Sequence, residues 1–216
     1  MPDPQPTTLR RAAPWYVHPL EDPGAWARLR AGEAGLDFAV VNVANGPGRG
    51  VDPSYTDALT AVLTPLVGYV DVDYGRRHLD AVMADLVAWR LQYGITGVML
   101  DRVPRSPTGH WSLEVIDGLR ADGATTVIAN PGCPVPAELV LRADVTCVAE
   151  MAWTTYRHHL APPPGAPPER VWHLIHSCPA RHQMDAIGRA RRHGAGLGWV
   201  TSGSLPNPWR TLQEVQ

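Results

Sequence analysis

Gly97-Val-Met-Leu-Asp101 and Val145-Thr-Cys-Val-Ala-Glu150 are two short apolar runs, and each ends in a single carboxylate. Runs of this length and composition are typical of strands buried on both faces, as in a parallel sheet. If both are strands of one parallel barrel, Asp101 and Glu150 leave it at the same mouth, where such barrels hold their active sites. Two carboxylates that face one cleft indicate glycoside chemistry.

Similar apolar runs recur along the chain and alternate with segments of helical period. Each predicted helix is followed within two residues by glycine or proline, where a helix should stop. Eight strand and helix units in one domain predict a closed (β/α)8 TIM-type barrel over an open doubly wound sheet, and no Gly-x-Gly-x-x-Gly follows the first strand. The predicted strands are 13–18, 37–42, 66–70, 96–100, 125–129, 145–149, 171–176 and 197–201, and the predicted helices are 23–31, 53–63, 77–93, 113–121 and 183–193.

The length of the chain bounds its domain organisation. Its 216 residues, of which 44% are apolar, are enough for one domain with a sizeable core. The first dozen residues are polar and rich in proline. We therefore predict a disordered tail over residues 1–12 and a single compact barrel domain over residues 13–216.

The composition excludes several function classes. The formal net charge is -2 and the charged residues are scattered, so no nucleic-acid partner is expected. Lysine is absent, which excludes a Schiff-base lysine and a P-loop lysine. The cysteines Cys133, Cys147 and Cys178 are widely spaced without a CxxC pair, so neither a disulfide framework nor a zinc knuckle is indicated. No cofactor is predicted.

The hydropathy of the chain bears on membranes and on localisation. No stretch reaches the roughly 20 apolar residues that span a bilayer, so no membrane partner is expected. The N-terminus lacks the apolar region of a signal peptide, which indicates a cytoplasmic protein as given. A chain trimmed of its signal peptide would look the same, so the compartment stays open. We expect a monomer.

The residues at the predicted strand ends are polar in all eight units. Taken alone, any one of them is more often a cap or a turn residue than a functional group. Taken together they predict one polar cleft, because residues just past the carboxyl end of a barrel strand build the active site. They are His18, Asn42, Asp71 with Asp73, Asp101, Asn130, Glu150, His176, and Thr201 with Ser202.

Asp101 and Glu150 are the candidate catalytic pair. One carboxyl group would donate a proton to the glycosidic oxygen while the other attacks C1 or activates water. The two roles require different environments, and the sequence does not assign them. The structural alternative is that either carboxylate caps a helix or pairs with an arginine such as Arg102.

Other side chains near the predicted mouth are candidates for substrate binding. Asp71 and Asp73 would serve as a second carboxylate or would bond sugar hydroxyls, although the following Tyr74-Gly75 makes a turn equally plausible. Aromatic rings near the mouth would stack on sugar faces, or else they pack in the core or at the rim. No HExxH or Gly-x-Ser-x-Gly motif is present, so neither a metal site nor a serine nucleophile is predicted. The aromatic candidates are Trp15, Tyr16, Tyr69, Tyr74, Trp153 and Tyr156.

Several motifs in order resemble the spherulation-specific family 4 (spherulin-4-like) proteins. The resemblance covers almost the whole chain after the tail and implies a (β/α)8 fold. It rests on Val40-Val-Asn-Val-Ala-Asn-Gly-Pro-Gly48, Pro53-Ser-Tyr55, Val67-Gly-Tyr-Val70, Tyr74-Gly-Arg-Arg77, Tyr93-Gly-Ile-Thr-Gly-Val-Met-Leu-Asp101, Asn130-Pro-Gly132, Ala143-Asp144 with Glu150, and His176.

The resemblance also implies a function. Members of glycoside hydrolase family 135, which are related to this family, cut N-acetylgalactosamine stretches of an exopolysaccharide. By position, the Asp of the Gly-Ile-x-x-Asp-Glu motif falls on Asp101, and the later catalytic Glu falls on Glu150. A carbohydrate is therefore the implied substrate, with Asn42, Tyr69, Tyr74, Asn130 and His176 as residues that would position the sugar.

Arg102 is the main departure from the family pattern, which has Glu after that Asp. An arginine reverses the charge and cannot act as an acid or base at neutral pH. If the missing Glu is required, this protein is a catalytically silent, glycan-binding barrel. If it only tunes binding, Arg102 would redirect specificity toward an anionic or acetylated sugar. Further departures are Val72, where relatives often have Thr, and the absence of a signal peptide.

Overall fold

Eight parallel strands close into a barrel, which confirms the predicted (β/α)8 fold. The computed structural model describes residues 9–105, 111–158 and 165–210. Each strand pairs with the next one along the chain, and the last strand pairs with the first. The strands are β1 Arg10–Trp15, β2 Phe38–Val41, β3 Leu66–Asp71, β4 Gly97–Asp101, β5 Val127–Asn130, β6 Val145–Ala152, β7 Val171–His176 and β8 Leu197–Val200.

Helices occupy the connections between strands. The five predicted helices are present. Two shorter helices, α5 Ala137–Arg142 and α6 Trp153–Tyr156, are not predicted, because four to six residues hardly establish a helical period. No helix in the described ranges is long and apolar enough to cross a bilayer. The helices are α1 Pro23–Arg30, α2 Pro53–Leu59, α3 Leu79–Tyr93, α4 Trp111–Ala121, α5 Ala137–Arg142, α6 Trp153–Tyr156 and α7 Gln183–Arg192.

The first strand begins earlier than the sequence predicts. It starts at Arg10 rather than at residue 13, so the predicted tail is wrong for residues 10–12, while residues 1–8 lie outside the described part of the chain. Arg10 pairs with Asp37 at 3.1 Å, and the Arg11 guanidinium lies 5.1 Å from the centroid of the Trp199 ring. The hydropathy pattern does not predict these strand residues because two of them are charged arginines. In the structure, each arginine contacts a partner side chain in the barrel.

Trp89 of α3 packs against β3 at a glycine. A Cβ built on Gly68 would lie only 2.4 Å from the Trp89 ring, so this contact requires glycine. The indole N–H of Trp89 donates a hydrogen bond of 2.9 Å to the carbonyl oxygen of Tyr69. Helix α3 therefore fixes the strand that carries Tyr69 to the mouth of the barrel.

We expect Gly68→Ala to destabilise the fold by about 2 kcal/mol, within the range typical of an overpacked core. The added methyl group would displace the Trp89 ring and strain its hydrogen bond. Urea unfolding followed by circular dichroism measures the change. The control is Gly118→Ala in α4, where the nearest atom would be 3.6 Å away. Gly118→Ala should be neutral or stabilising, and an equal loss in both variants would contradict this account.

Candidate active site

Asp101 and Glu150 share one hydrogen-bond donor at the mouth of the barrel. The Nδ2 atom of Asn130 donates to Asp101 Oδ1 at 2.8 Å and to Glu150 Oε2 at 2.6 Å. The two oxygens are therefore no farther apart than the sum of these distances. Asn130 ends β5, which lies between the strands of the two carboxylates and pairs in register with Asp101. Because β4, β5 and β6 are neighbours in the barrel, Asn130 lies between Asp101 and Glu150 and bonds to both.

The orientation of the Asn130 amide is fixed from the other side. Its Oδ1 atom accepts a 3.0 Å hydrogen bond from the backbone N–H of Gly132, which leaves Nδ2 to face the carboxylates. The backbone N–H of Glu150 donates to the carbonyl oxygen of Gly132 at 3.1 Å. A register irregularity in β6 between Cys147 and Ala149 immediately precedes Glu150. Bulges of this kind redirect side chains next to active sites.

Asp101 is a half-buried carboxylate with several donors. The hydroxyl group of Tyr69 donates to Asp101 Oδ2 at 2.8 Å. Burial raises the pKa of Asp101, and the charge of nearby Asp71 acts in the same direction. Hydrogen bonds from Tyr69, from the backbone of Arg102 and from Asn130 oppose this rise. Asp101 therefore has three donors that favour its ionised form.

Glu150 is also half-buried and has fewer compensating donors. Burial raises its pKa, and the negative charge of Asp101 raises it further. Hydrogen bonds from Asn130 and from the side chain of Trp209 act in the opposite direction. Two close carboxyl groups that both resist ionisation favour a state in which the pair retains a proton. The arrangement can therefore supply one acid and one carboxylate.

A cavity of about 580 Å³ opens above the carboxylate pair. Both carboxylates line it, together with five of the residues predicted to bind substrate. Asn130 does not line the cavity directly, but it bonds to both carboxylates as described. The predicted residues that line the cavity are Tyr16, His18, Asn42, Tyr69, Asp101, Glu150 and His176.

Six further polar or aromatic residues of the cavity wall were not predicted. Asn45 and Tyr55 lie inside the quoted family motifs, so their position in the motifs could have indicated them as site residues. The others lie in the loop after β1 or in the chain after β8, where no strand end marks them. These six residues are Glu21, Asn45, Tyr55, Asn207, Trp209 and Arg210.

Four residues predicted to bind substrate form an ion-pair cluster beside the cavity instead. Arg102 donates through Nε to Asp71 Oδ1 at 2.8 Å and through a second nitrogen to Oδ2. Its third nitrogen lies 3.2 Å from Asp73, and its guanidinium lies 5.4 Å from the centroid of the Tyr74 ring. None of the four lines the cavity. The Arg102 charge is thus engaged by Asp71 and Asp73, and substrate binding by the four residues stays a prediction.

Trp153 packs among side chains outside the cavity. It is only 5% exposed at the start of α6, and its ring stacks on His182 at a centroid distance of 5.7 Å. The guanidinium of Arg189 lies 5.9 Å from the same ring. Trp15 and Tyr156 are buried as well. None of the three lines the cavity, and their stacking on a sugar stays a prediction.

The histidines near the site are engaged in local contacts. His173 accepts or donates a 2.6 Å hydrogen bond with the Tyr156 hydroxyl inside the barrel wall, and His176 lies 3.1 Å from the Ser177 hydroxyl. Within the described ranges, no three His, Cys, Asp or Glu side chains are grouped so as to hold a metal ion. Burial lowers the pKa of His176, which favours its neutral form at the cavity wall.

The fold and the site define a class: a (β/α)8 barrel with a half-buried carboxylate pair at its carboxyl-terminal mouth. The chain belongs to spherulation-specific family 4, whose profile matches residues 12–215. Spherulin-4 of Physarum polycephalum is 32% identical over 133 residues, which are 57% of this chain and 39% of that protein. The chain thus aligns with well under half the length of this curated relative.

Solved structures support the fold. Aspergillus clavatus Sph3, crystallised in complex with GalNAc, superposes with a TM-score of 0.78 at 22% identity, covering 95% of this chain and 93% of Sph3. The Amycolatopsis orientalis BexX/CysO complex matches with a TM-score of 0.50 at 15% identity, covering 90% of this chain and 81% of the other. At these identities the likeness shows the barrel architecture alone.

Proposed function

We propose that this protein is a glycoside hydrolase that acts on an amino-sugar polysaccharide of the N-acetylgalactosamine type. The observation that carries the proposal is the pair of half-buried carboxylates, Asp101 and Glu150, held by one amide at the base of an open cavity. Membership of spherulation-specific family 4 and the GalNAc bound to the structurally similar Sph3 support the choice of sugar.

The environments of the two carboxyl groups suggest their roles. Asp101 has three hydrogen-bond donors that favour its ionised form, whereas Glu150 has two and is strongly desolvated. We therefore assign Glu150 as the general acid and Asp101 as the carboxylate that attacks C1. Because the paired oxygens accept from one nitrogen, their spacing suits the separation of about 5 Å found in retaining enzymes. The wider spacing of inverting enzymes, about 6.5–9.5 Å, leaves room for a water molecule.

Arg102 favours a second candidate function, a glycan-binding barrel without activity. It stands where the family has a Glu, so the family's full set of acids is absent. Its guanidinium is turned onto Asp71 and Asp73, and it neither lines the cavity nor contacts Glu150. The same pairing argues against Arg102 as a site for an anionic sugar, because its charge is already balanced.

Incubation with N-acetylgalactosamine polysaccharide tests the proposal. The wild-type protein should release new reducing ends, measured by a colorimetric assay. Binding by isothermal titration calorimetry without turnover, unaffected by Glu150→Gln, would favour the silent barrel. If the protein neither binds nor cuts this polymer but cuts another glycan, the proposed carboxylate pair stands and the assigned sugar is refuted.

The pH dependence provides a separate prediction. Activity requires an ionised Asp101 and a protonated Glu150, so it is lost below the first pKa and above the second. Burial raises both values, and we therefore expect a bell-shaped kcat/KM profile shifted above the usual carboxyl range of about 4. Initial rates from pH 3 to 9 measure this profile. A maximum at or below about pH 4 would contradict the shift.

A further inference from the structure

Asn130 is a buried amide whose donors are both bound to carboxylates. It ends β5 and is only 4% exposed. A primary amide has two N–H donors on one nitrogen and one acceptor oxygen. Here the oxygen accepts from the backbone N–H of Gly132, while the nitrogen donates to Asp101 at 2.8 Å and to Glu150 at 2.6 Å. The amide therefore bridges the proposed catalytic pair.

The turn after β5 holds this amide in place. Asn130 and Gly132 form an Asx-turn, in which the side-chain oxygen accepts from the backbone N–H two residues on. Gly132 has a φ of 65°, in the left-handed region that favours glycine. The carbonyl oxygen of Asn130 accepts from the backbone N–H of Val103 at 3.2 Å, and the N–H of Gly132 also donates to the carbonyl oxygen of Cys147 at 3.2 Å. The turn is thus tied to the chain after β4 and to β6.

A planar amide separates the groups that it bridges. Its two N–H bonds diverge from one nitrogen, so two oxygens that each accept one of these bonds approach that nitrogen from different directions. Asp101 Oδ1 and Glu150 Oε2 are therefore held apart by Asn130. The Tyr69 hydroxyl bonds to the second oxygen of Asp101 at 2.8 Å. Together, Asn130 and Tyr69 bind both oxygens of Asp101 and one oxygen of Glu150.

The separation matters because two adjacent carboxyl groups otherwise share one proton. In aspartic proteases such a dyad titrates in two steps that lie about three pH units apart. A retaining glycosidase requires a different arrangement, because one carboxyl group gives its proton to the glycosidic oxygen while the other attacks C1 as a carboxylate. A proton shared between the two groups would oppose both steps.

We propose that Asn130 is a positioning residue that holds Asp101 and Glu150 apart, so that they act as a separate nucleophile and acid and not as a dyad with a shared proton. This inference rests on the proposed function, since it concerns the proposed acid and nucleophile. Asn130 contacts both carboxyl groups and does not line the cavity, so it acts through them and not on the sugar.

Other titratable or charged groups face the pair from the neighbouring strands. They are Tyr16, Tyr69, Asp71, Arg102, Cys147 and His176. Burial raises the pKa of both tyrosines and of the cysteine, so these groups are neutral near pH 7. The guanidinium of the arginine balances the charge of Asp71, and burial lowers the pKa of the histidine. Asp101 and Glu150 are therefore the main coupled charges.

Asn130→Ala tests the inference, because it removes the amide and allows the two carboxyl groups to meet. In protein labelled with ¹³C at the carboxyl groups of Asp and Glu, NMR spectroscopy follows the titrations of Asp101 and Glu150. We expect the gap between the two steps to widen by at least about one pH unit, toward the three units of a shared-proton dyad. An unchanged gap, or a parallel shift of both steps, would overturn the inference.

The pH profile of activity provides a second measurement on the same variant. The active form retains one proton on the pair, so a wider gap should broaden the bell-shaped kcat/KM profile. Sharing of that proton should lower kcat at the maximum by about 100-fold, as a misplaced catalytic group does. KM should change little, because Asn130 does not line the cavity. A lower kcat without a broader profile would indicate a purely structural role and contradict the inference.

Asn42→Ala is the matched control. The side-chain oxygen of Asn42 also accepts from a backbone N–H, that of Gly46, at 3.0 Å, and the residue lies at the same mouth. Among the described residues, no hydrogen bond joins Asn42 to Asp101 or Glu150. The gap between the two titration steps should therefore stay as in the wild type. An equal widening would show that loss of any amide at the mouth loosens the pair, and the inference would fail.

The titrations need no substrate, so they separate this inference from the proposed function. A wider gap in Asn130→Ala, in a protein that cuts no glycan, would refute the proposed function but retain the spacing role of Asn130. Glycan cleavage by the wild type, with an unchanged gap in Asn130→Ala, would retain the proposed function and refute the spacing role.

A measurement on the wild-type protein covers the case in which Asn130→Ala does not fold. The chain has only four asparagines, so few side-chain NH2 groups need to be assigned by NMR. In one of these groups, one hydrogen should follow the titration of Asp101 and the other that of Glu150. The first response should vanish in Asp101→Asn and the second in Glu150→Gln. If no NH2 group responds to both carboxyl groups, the inference is wrong.

Discussion

Asp101→Asn and Glu150→Gln are each expected to lower kcat on an N-acetylgalactosamine polymer by about three orders of magnitude, the scale on which carboxyl groups act in acid, base and nucleophilic catalysis. Both replacements keep the size of the side chain and an oxygen that can accept from Asn130. Lost activity with retained folding would therefore reflect lost chemistry. Reducing-end release, measured beside the circular dichroism spectrum, checks this expectation.

Asp37→Asn is the control for these variants. Asp37 immediately precedes β2, at the opposite end of the barrel from the cavity, and pairs with Arg10. Its replacement should leave kcat and KM unchanged. Equal release of reducing ends by the wild type, Asp101→Asn and Glu150→Gln would refute the assigned carboxylate pair. If that release came from a contaminating enzyme, the catalytically silent barrel would gain support.

Azide distinguishes the assigned roles. In a retaining enzyme, azide replaces a missing nucleophile and gives a product of inverted configuration, whereas it intercepts the glycosyl-enzyme when the acid/base is missing and gives a retained product. We therefore expect Asp101→Ala with azide to yield the inverted glycosyl azide and Glu150→Ala to yield the retained one. The reverse pattern would exchange the two roles, and NMR spectroscopy of the anomeric proton identifies the product.

Arg102→Gln is expected to destabilise the protein by about 2–3 kcal/mol. The change leaves Asp71, whose side chain is only 10% exposed, without its ionic partner. A fully buried pair broken in this way costs about 3–5 kcal/mol, and the 38% exposure of Arg102 reduces that figure through solvent screening. Urea unfolding at pH 7 measures the loss. The additional change Asp71→Asn should recover part of it, because no charge is then left unpaired.

The pH dependence of this loss has a defined sign. Burial by itself would raise the pKa of Asp71, but hydrogen bonds from Arg102, from the backbone of Asp73 and from Asn45 outweigh it, so the pKa is lowered. The pair therefore contributes stability above the pKa of the unfolded chain, near 3.9, and loses it as pH falls through the folded value. The difference between wild type and Arg102→Gln should shrink below about pH 4.

The surface pair of Arg142 and Asp117 provides the comparison. These side chains are 46% and 52% exposed, and the pair distance is 3.3 Å. Arg142→Gln should cost no more than about 0.5 kcal/mol, as is usual for exposed pairs. If Arg142→Gln and Arg102→Gln were equally destabilising, the cluster around Asp71 would not be the buried anchor that its geometry indicates.

Periodicity in the sequence was sufficient for the fold, because a buried parallel strand requires a continuous apolar run and five of the eight runs here are followed by a predicted helix. Six strands, β2, β3, β4, β6, β7 and β8, begin within one residue of their predicted positions. β1 was misplaced by three residues because Arg10 and Arg11 place charges inside a strand. Arg10 forms an ion pair with Asp37, and the Arg11 guanidinium lies over the Trp199 ring; both partners are distant in the sequence.

The sequence by itself placed Asp101 and Asn130 at strand ends, since a strand end is a local feature of the chain, while Glu150 lies two residues before the end of β6. It could not reveal that Asn130 bonds both carboxylates or that Arg102 turns to Asp71. Those contacts join residues far apart along the chain, and closure of the barrel brings them together. Local pattern thus determined which residues reach the mouth, and only tertiary structure decided which of them meet, because side-chain partners depend on distances in space.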